Sequence, residues 1–184
     1  LGGRHCLNWR IDRHVHLPND CSVCKVYATL IPAARRSVRR FMSTDEELGA
    51  RRMMQRDSAS SALGMVVHRD DLGHAVVSMR VRDDMLNGLD VAHGGLIFAL
   101  ADTAFAIACN DDVTMTFAAG AEITFLAPAR LGDTLTATAT VRAKAGRTGV
   151  YDVTVVDAAA RPIAEFRGHS RDTGQPLALD GDVS

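Results

Sequence analysis

The run from His93 to Asn110, HGGLIFALADTAFAIACN, constrains this chain more than any other feature. Nearly every position in it is apolar or small; the exceptions are its first turn, Asp102, Thr103 and Asn110. Its 18 residues make a helix about 27 Å long. A helix that is apolar all round has to be buried on nearly every side, so the rest of the chain must wrap it.

The wrapping material follows directly. Residues 114–126, 134–145, 149–156 and 162–171 are rich in Val, Thr, Ile or Phe and alternate, as in Leu135/Ala137/Ala139/Val141 and Val153/Val155. Short turns at 128–133, 146–148 and 157–161 favour antiparallel pairing of neighbours. Upstream, 65–68 reads as a short strand. Residues 74–81 read as a longer one, with Ala75, Val77, Met79 and Val81 on one face. Residues 83–92 form an Asp-rich loop with Asn87-Gly88 as its turn signal. Ser43 with Glu46 is a capping-box pattern opening a helix that ends near Gly64. One long buried helix with an antiparallel sheet of five or six strands is an α+β fold, the curved sheet wrapped around the helix. One sheet cannot cover every apolar face of that helix, so a second copy is expected to cover the remainder, as a homodimer.

Charge divides the chain. Residues 1–41 carry eight Lys/Arg and two Asp, a net of +6; residues 42–184 carry thirteen Lys/Arg and twenty Asp/Glu, a net of −7; the two sum to the chain's −1. The basic leader holds Cys6, Cys21, Cys24, His14 and His16, but a single Cys21-Ser-Val-Cys24 without a second spaced pair is a weak metal signal. Its arginines follow rather than precede its apolar stretch, unlike a secretory signal. We read 1–41 as a poorly ordered leader, 42–173 as the domain, opening at Met42, and 174–184 as a flexible tail. The acidic body argues against nucleic-acid binding, and the absence of a long apolar run argues against a membrane span.

Chemistry concentrates around the long helix. The first N–H groups of a helix lack intrahelical partners and carry the positive end of its dipole. Gly94 and Gly95 leave room for a carbonyl or anion to approach them, which suits a carbonyl that becomes an oxyanion. Asp102, in the run LADTAF, is costly to bury unless Thr103 or a backbone group satisfies it; otherwise it suits acid–base work. Asn87 either shapes its turn or holds a water or substrate oxygen. His93 either caps the helix or assists at the carbonyl. Gly94 and Asp102 stand eight residues apart, about 12 Å along the axis, too far to act on one carbonyl within one subunit. Two antiparallel helices across a two-fold axis would bring Asp102 of one to Gly94 of the other, giving a shared site.

Leu86-Asn87-Gly88 and His93-Gly94-Gly95-Leu96-Ile97-Phe98-Ala99-Leu100-Ala101-Asp102-Thr103-Ala104-Phe105-Ala106 resemble the signature of the PaaI-type hot-dog-fold thioesterases, the hydroxyphenylacetyl-CoA thioesterases of phenylacetate degradation. The resemblance continues through Ile123-Thr124-Phe125-Leu126-Ala127-Pro128, Gly132-Asp133-Thr134-Leu135, Thr148-Gly149-Val150-Tyr151 and Phe166-Arg167-Gly168, and covers about residues 45–173. It implies Asp102 as general base or nucleophile, Gly94 as the N–H that polarises the thioester carbonyl, and Asn87 as the group orienting substrate or water. It also implies an active site across a dimer, with dimers pairing into tetramers. Some relatives place a water-holding Ser on the strand after the helix; this chain has Ala118 there, and Thr103 is the partial substitute.

For the substrate we expect Gly95, Thr103 and Phe98 near the acyl thioester, with Phe105 and Phe125 as further pocket walls, although the three phenylalanines would also serve as ordinary core. Arg147, Thr148 and Gly149, supported by Arg167 or Arg171, are candidates for the coenzyme A phosphates. The expected activity is hydrolysis of an aryl-acetyl-CoA in the cytoplasm, with no metal or redox cofactor, coenzyme A being part of the substrate. Two other classes compete: a hot-dog dehydratase using His93 and Asp102, and a non-enzymatic acyl-CoA sensor.

Overall fold

The computed structural model describes residues 53–71, 73–110 and 114–176. The leader at 1–41, with its cysteines and histidines, the Ser43/Glu46 capping box and residues 177–184 lie outside the described residues.

A five-residue helix, α1 (Ser58–Ala62), precedes the sheet, capped by Asp57. Two strands follow, β1 (Val66–Asp71) and β2 (His74–Arg80), then a 3-10 turn at Asp83–Met85. The apolar run forms α2 (Gly94–Cys109), with His93 as N-cap and Asn110 as C-cap. Four strands complete the domain: β3 (Thr114–Phe125), β4 (Thr134–Ala145), β5 (Thr148–Val156) and β6 (Pro162–Pro176). All six strands form one antiparallel sheet in the order β1-β2-β4-β5-β6-β3. The sheet curls around α2, the hot-dog arrangement. No helix among the described residues is long and apolar enough to cross a membrane.

Alternation decides which side of each strand meets the helix. Ala75, Val77 and Met79 of β2, Leu135, Ala137 and Ala139 of β4, and Tyr151, Val153 and Val155 of β5 are buried. They join Ile97, Leu100, Ala101, Ala104, Phe105, Ile107 and Ala108 of α2 in one core. Each fully buried Leu, Val or Phe contributes about 1.5–3 kcal/mol. Small residues let the helix sink into the sheet. A Cβ on Gly168 would lie 2.8 Å from three atoms of the Phe105 ring, so only glycine lets that ring rest on β6. Phe105 also meets Tyr151 and Phe166 at ring-centre distances of 5.4 and 5.9 Å. Phe105 is therefore core, the plainer of its two expected roles.

Two pairings differ from expectation. The short 126–133 connection does not join hydrogen-bonded neighbours: β3 pairs with β6, while β4 pairs with β2 and β5. The connection passes across the N-terminal end of α2, held there by Ala92 N–H to the Ala129 carbonyl at 2.8 Å and by Val81 N–H to the Asp133 carbonyl at 2.8 Å. β6 also runs five residues beyond 171, into the segment read as tail. The start of β3 gives those residues a partner, with Thr116 opposite Asp172 and Thr114 opposite Pro176.

Candidate active site

The N-terminus of α2 has a defined local chemistry. His93 sits in extended backbone (φ −63°, ψ 127°) and its Nδ1 accepts the Gly95 N–H at 3.0 Å. Nδ1 is thus an acceptor, so the neutral ring carries its proton on Nε2. His93 is a cap, and Gly95 is not a second open donor; a Cβ on Gly95 would stand 3.2 Å from His93 Nδ1. The expectation of two adjacent free N–H groups reduces to one. Gly94 N–H has no acceptor among the described residues.

That N–H borders a cleft of about 320 Å³ lined by Asn87, Gly94, Ile97, Phe125, Leu126 and Pro128 among others. A Cβ on Gly94 would fall 3.0 Å from Phe125 Cζ, so glycine admits the ring as well as exposing the donor. Phe125 and Leu126 are 50% and 53% exposed, an apolar wall facing open space beside a polar group.

Asn87 is placed by its loop. The antiparallel bridge between Leu86 and Ala92 closes it, and His93 N–H to the Met85 carbonyl at 2.8 Å anchors it to the helix start. Asn87 Oδ1 accepts Leu89 N–H at 2.8 Å and Val91 N–H at 3.5 Å. Two N–H donors require an oxygen at that position, so Asn87 Nδ2 is the atom left over, a donor with no acceptor among the described residues. The left-handed residue of the loop is Asp90 (φ 56°), not Gly88. The Asn-Gly turn is present, closed by Asp90 N–H to the Asn87 carbonyl at 3.1 Å, and the Asn87 side chain organises the longer loop around it as an Asx-type anchor.

Asp102 lies two turns further along, half-buried, with no hydrogen bond or ion pair among the described residues. Burial pushes its carboxyl pKa above the usual carboxylate range. Thr103 does not satisfy it: the Thr103 hydroxyl pairs with Ser60 Oγ at 3.1 Å. On its helix face Asp102 shares a stripe with Gly95, Ala99 and Ala106, all small, Gly95 exposed and the two alanines partly buried.

Other expected residues fall elsewhere. Phe98 is half-buried and packs edge-on against Phe166 at 5.3 Å. Gly149 is glycine because a Cβ would meet Ser170 Oγ at 2.6 Å and Tyr151 at 2.8 Å, a packing reason. Arg147 Nε donates to the Asp172 carbonyl at 2.8 Å, Arg171 donates to Thr148 Oγ1 at 3.2 Å, and Arg167 pairs with Asp152 at 2.7 Å. Arg147 and Arg171 sit at the end of the sheet where Thr116 lies opposite Asp172 and meets Asn110 at the C-terminus of α2, whereas Arg167 lies mid-β6, opposite Glu122 and Asp152. Within one chain these arginines do not meet the Gly94 cleft. Sequence reasoning passed over Asn110. It is 4% exposed, and its Oδ1 accepts Thr116 N–H at 2.8 Å while its Nδ2 donates to the Thr116 carbonyl at 2.9 Å. A buried amide ending an apolar run was its only signal.

With this geometry in view, residues 89–164 match the family model described as thioesterase superfamily. The chain is 46% identical over 125 residues to the acyl-coenzyme A thioesterase PaaI of Escherichia coli K12, covering 68% of this chain and 89% of that one. It superposes on the structure of the E. coli PaaI protein from the phenylacetic acid degradation operon with TM-score 0.68 and 45% identity, covering 70% of this chain and 93% of that one. A Streptococcus mutans structure, smu.793 bound to acetyl CoA, matches at TM-score 0.58 and 28% identity, over 61% of this chain and 90% of that one.

Proposed function

Because the chain belongs to the thioesterase superfamily, as an acyl-CoA thioesterase of the PaaI type, we propose that it hydrolyses an aryl-acetyl thioester of the hydroxyphenylacetyl kind, in cytoplasmic phenylacetate catabolism. The observation that carries the reading is the pairing of an unused Gly94 N–H with an apolar, aromatic-walled cleft, on the same helix as a half-buried, unpaired Asp102.

The thioester carbonyl oxygen accepts the Gly94 N–H, and Asn87 Nδ2 is the second donor to it. Both strengthen as charge develops on that oxygen. Phe125 and Leu126 offer an aryl group an apolar wall. Asp102 of the partner subunit removes a proton from water, whose oxygen forms the new C–O bond. The tetrahedral oxyanion then collapses, the C–S bond breaks, and the proton held by Asp102 passes to the departing coenzyme A thiolate. Alternatively the Asp102 carboxylate attacks first, the C–S bond breaks to release the coenzyme A thiolate, which takes a proton from solvent, and water then opens the resulting anhydride to give the free acid and restore the carboxylate. Coenzyme A is substrate here, and neither route calls on a metal or redox group. Arg147, Arg167 and Arg171 are the proposed phosphate contacts, each needing to loosen a present partner.

Sharing requires a homodimer, and β3 supports one. It is a 12-residue edge strand, mostly exposed, with one side unpaired by any described strand. Such an edge recruits another strand unless protected. Two copies joined there would bring together the small-residue stripes around Asp102. Pairing of dimers into tetramers is part of the same proposal.

The test is thiol release from a panel of acyl-CoAs. We expect kcat/KM for hydroxyphenylacetyl-CoA at least about tenfold above acetyl-CoA, the discrimination of a few buried methylene equivalents. Equal rates would remove the aryl-acetyl assignment, and no thiol from any substrate would remove the hydrolase.

A further inference from the structure

α1 touches the long helix through one buried polar contact that the mechanism above leaves unused. Ser60, 4% exposed, lies with its Oγ between Asp57 and Thr103. Asp57 Oδ1 accepts Ser60 N–H at 3.0 Å, and Asp57 Oδ2 accepts the Ser60 hydroxyl at 2.7 Å. An ionised carboxylate only accepts, so the single Ser60 proton is committed to Asp57. The 3.1 Å contact between Ser60 Oγ and Thr103 Oγ1 then has one possible direction: Thr103 donates. A threonine inside a helix ordinarily returns its hydroxyl proton to a carbonyl one turn back. Here that proton points into a relay, Thr103 to Ser60 to Asp57.

We propose that Ser60 and Asp57 are positioning residues that hold the Thr103 hydroxyl as an acceptor beside Asp102. With its own proton committed, Thr103 Oγ1 offers only lone pairs to its surroundings. A water giving one proton to Asp102 gives the other to Thr103, which orients its oxygen for attack. The relay also keeps Thr103 from donating to Asp102, a bond that would weaken the base. It supplies from the helix the hydroxyl that Ala118 does not supply from β3. The position of α1 does not depend on this contact alone. Arg82 Nη1 donates to the Leu63 carbonyl at 3.0 Å, and Met65 N–H donates to the Ser60 carbonyl at 3.0 Å.

This inference rests on the thioesterase reading, and kinetics on the full chain separates the two. With the best acyl-CoA of the panel, Ser60→Ala and Thr103→Val should each lower kcat about tenfold, the scale of one oriented hydrogen bond, with KM nearly constant. Ser60→Ala added to Thr103→Val should cost no further turnover, because it acts only through that hydroxyl. Thr103→Ser should recover most of what Thr103→Val loses. Asp57→Asn keeps the cap acceptor but turns an N–H₂ toward Ser60, reversing the relay, and should match Ser60→Ala. Turnover is scored per folded protein by circular dichroism, so a loss of stability alone leaves kcat in place. Full kcat in Ser60→Ala or Asp57→Asn, or independent losses in the double variant, would overturn the relay and leave the hydrolase standing. A wild-type chain releasing no thiol overturns the hydrolase itself.

Discussion

Asp102 carries two opposed consequences of one environment. Partial burial without a partner raises its pKa, so the folded state holds the proton more tightly than the unfolded chain does. Stability is therefore favoured below the raised pKa, and the ionised carboxylate costs stability above it. Asp102→Asn should accordingly raise the thermal midpoint at neutral pH, with the gain shrinking as pH falls through the raised value. The same substitution should lower turnover at least about a hundredfold, the usual contribution of a general base. In the wild type, kcat should climb with pH along a limb lying above the ordinary carboxylate range. A variant of normal turnover, or one less stable than wild type at neutral pH, would remove Asp102 from the proposed role. Much of this residue's character is legible in LADTAF, because an acid amid apolar neighbours needs a partner or a purpose. That Thr103 is not the partner is invisible there, since Thr103 turns to Ser60, 43 positions away.

At the scale of elements, α2 and the sheet meet through a few places where a side chain would not fit. Gly168 is the tightest. Phe105 is 1% exposed and its ring already fills the space a methyl would take. Gly168→Ala should destabilise the domain by about 1–3 kcal/mol, as overpacking does, read as a lower urea midpoint at constant slope. An unchanged midpoint would mean the helix can shift away from β6 at no cost. Alternation predicted the strands well, because burying one face imposes a period of two on each. It did not predict their order. Proximity along the chain suggested β3 beside β4, whereas the segment 126–133 carries the chain across the end of α2 and leaves β3 to pair with β6. Local pattern selects a strand; only the closed sheet selects its neighbour.

For the whole molecule, the decisive question is whether two chains complete each other. Gly94 starts α2 and Asp102 lies about 12 Å further along it, so one chain presents half a site at each place. Gly94→Pro tests this cleanly. Proline suits the first helical position, and His93 already has the extended backbone that proline demands of its predecessor, so the change removes the N–H and crowds Phe125. Gly94→Pro and Asp102→Asn should each be inactive as homodimers. Mixed and re-equilibrated, they form heterodimers with one intact site of two, and about a quarter of wild-type activity should return. Mixtures as inactive as their components, despite exchange of subunits shown by native mass spectrometry, would exclude a shared site.

The sequence by itself determined the long apolar helix, the strands around it, the donor at its start and the acid along it, because each follows from spacing and residue chemistry within a few positions. It also exposed the distance between donor and acid, since helix rise is a constant. Tertiary structure alone decided which atoms remain available. His93 takes the Gly95 N–H, the loop takes Asn87 Oδ1, and Ser60 takes the Thr103 proton. Only the last of these spans distant segments, yet each depends on a backbone shape the whole fold imposes. A hydrogen-bonding group becomes functional by being left over, and what is left over is known only after every other group has found its partner.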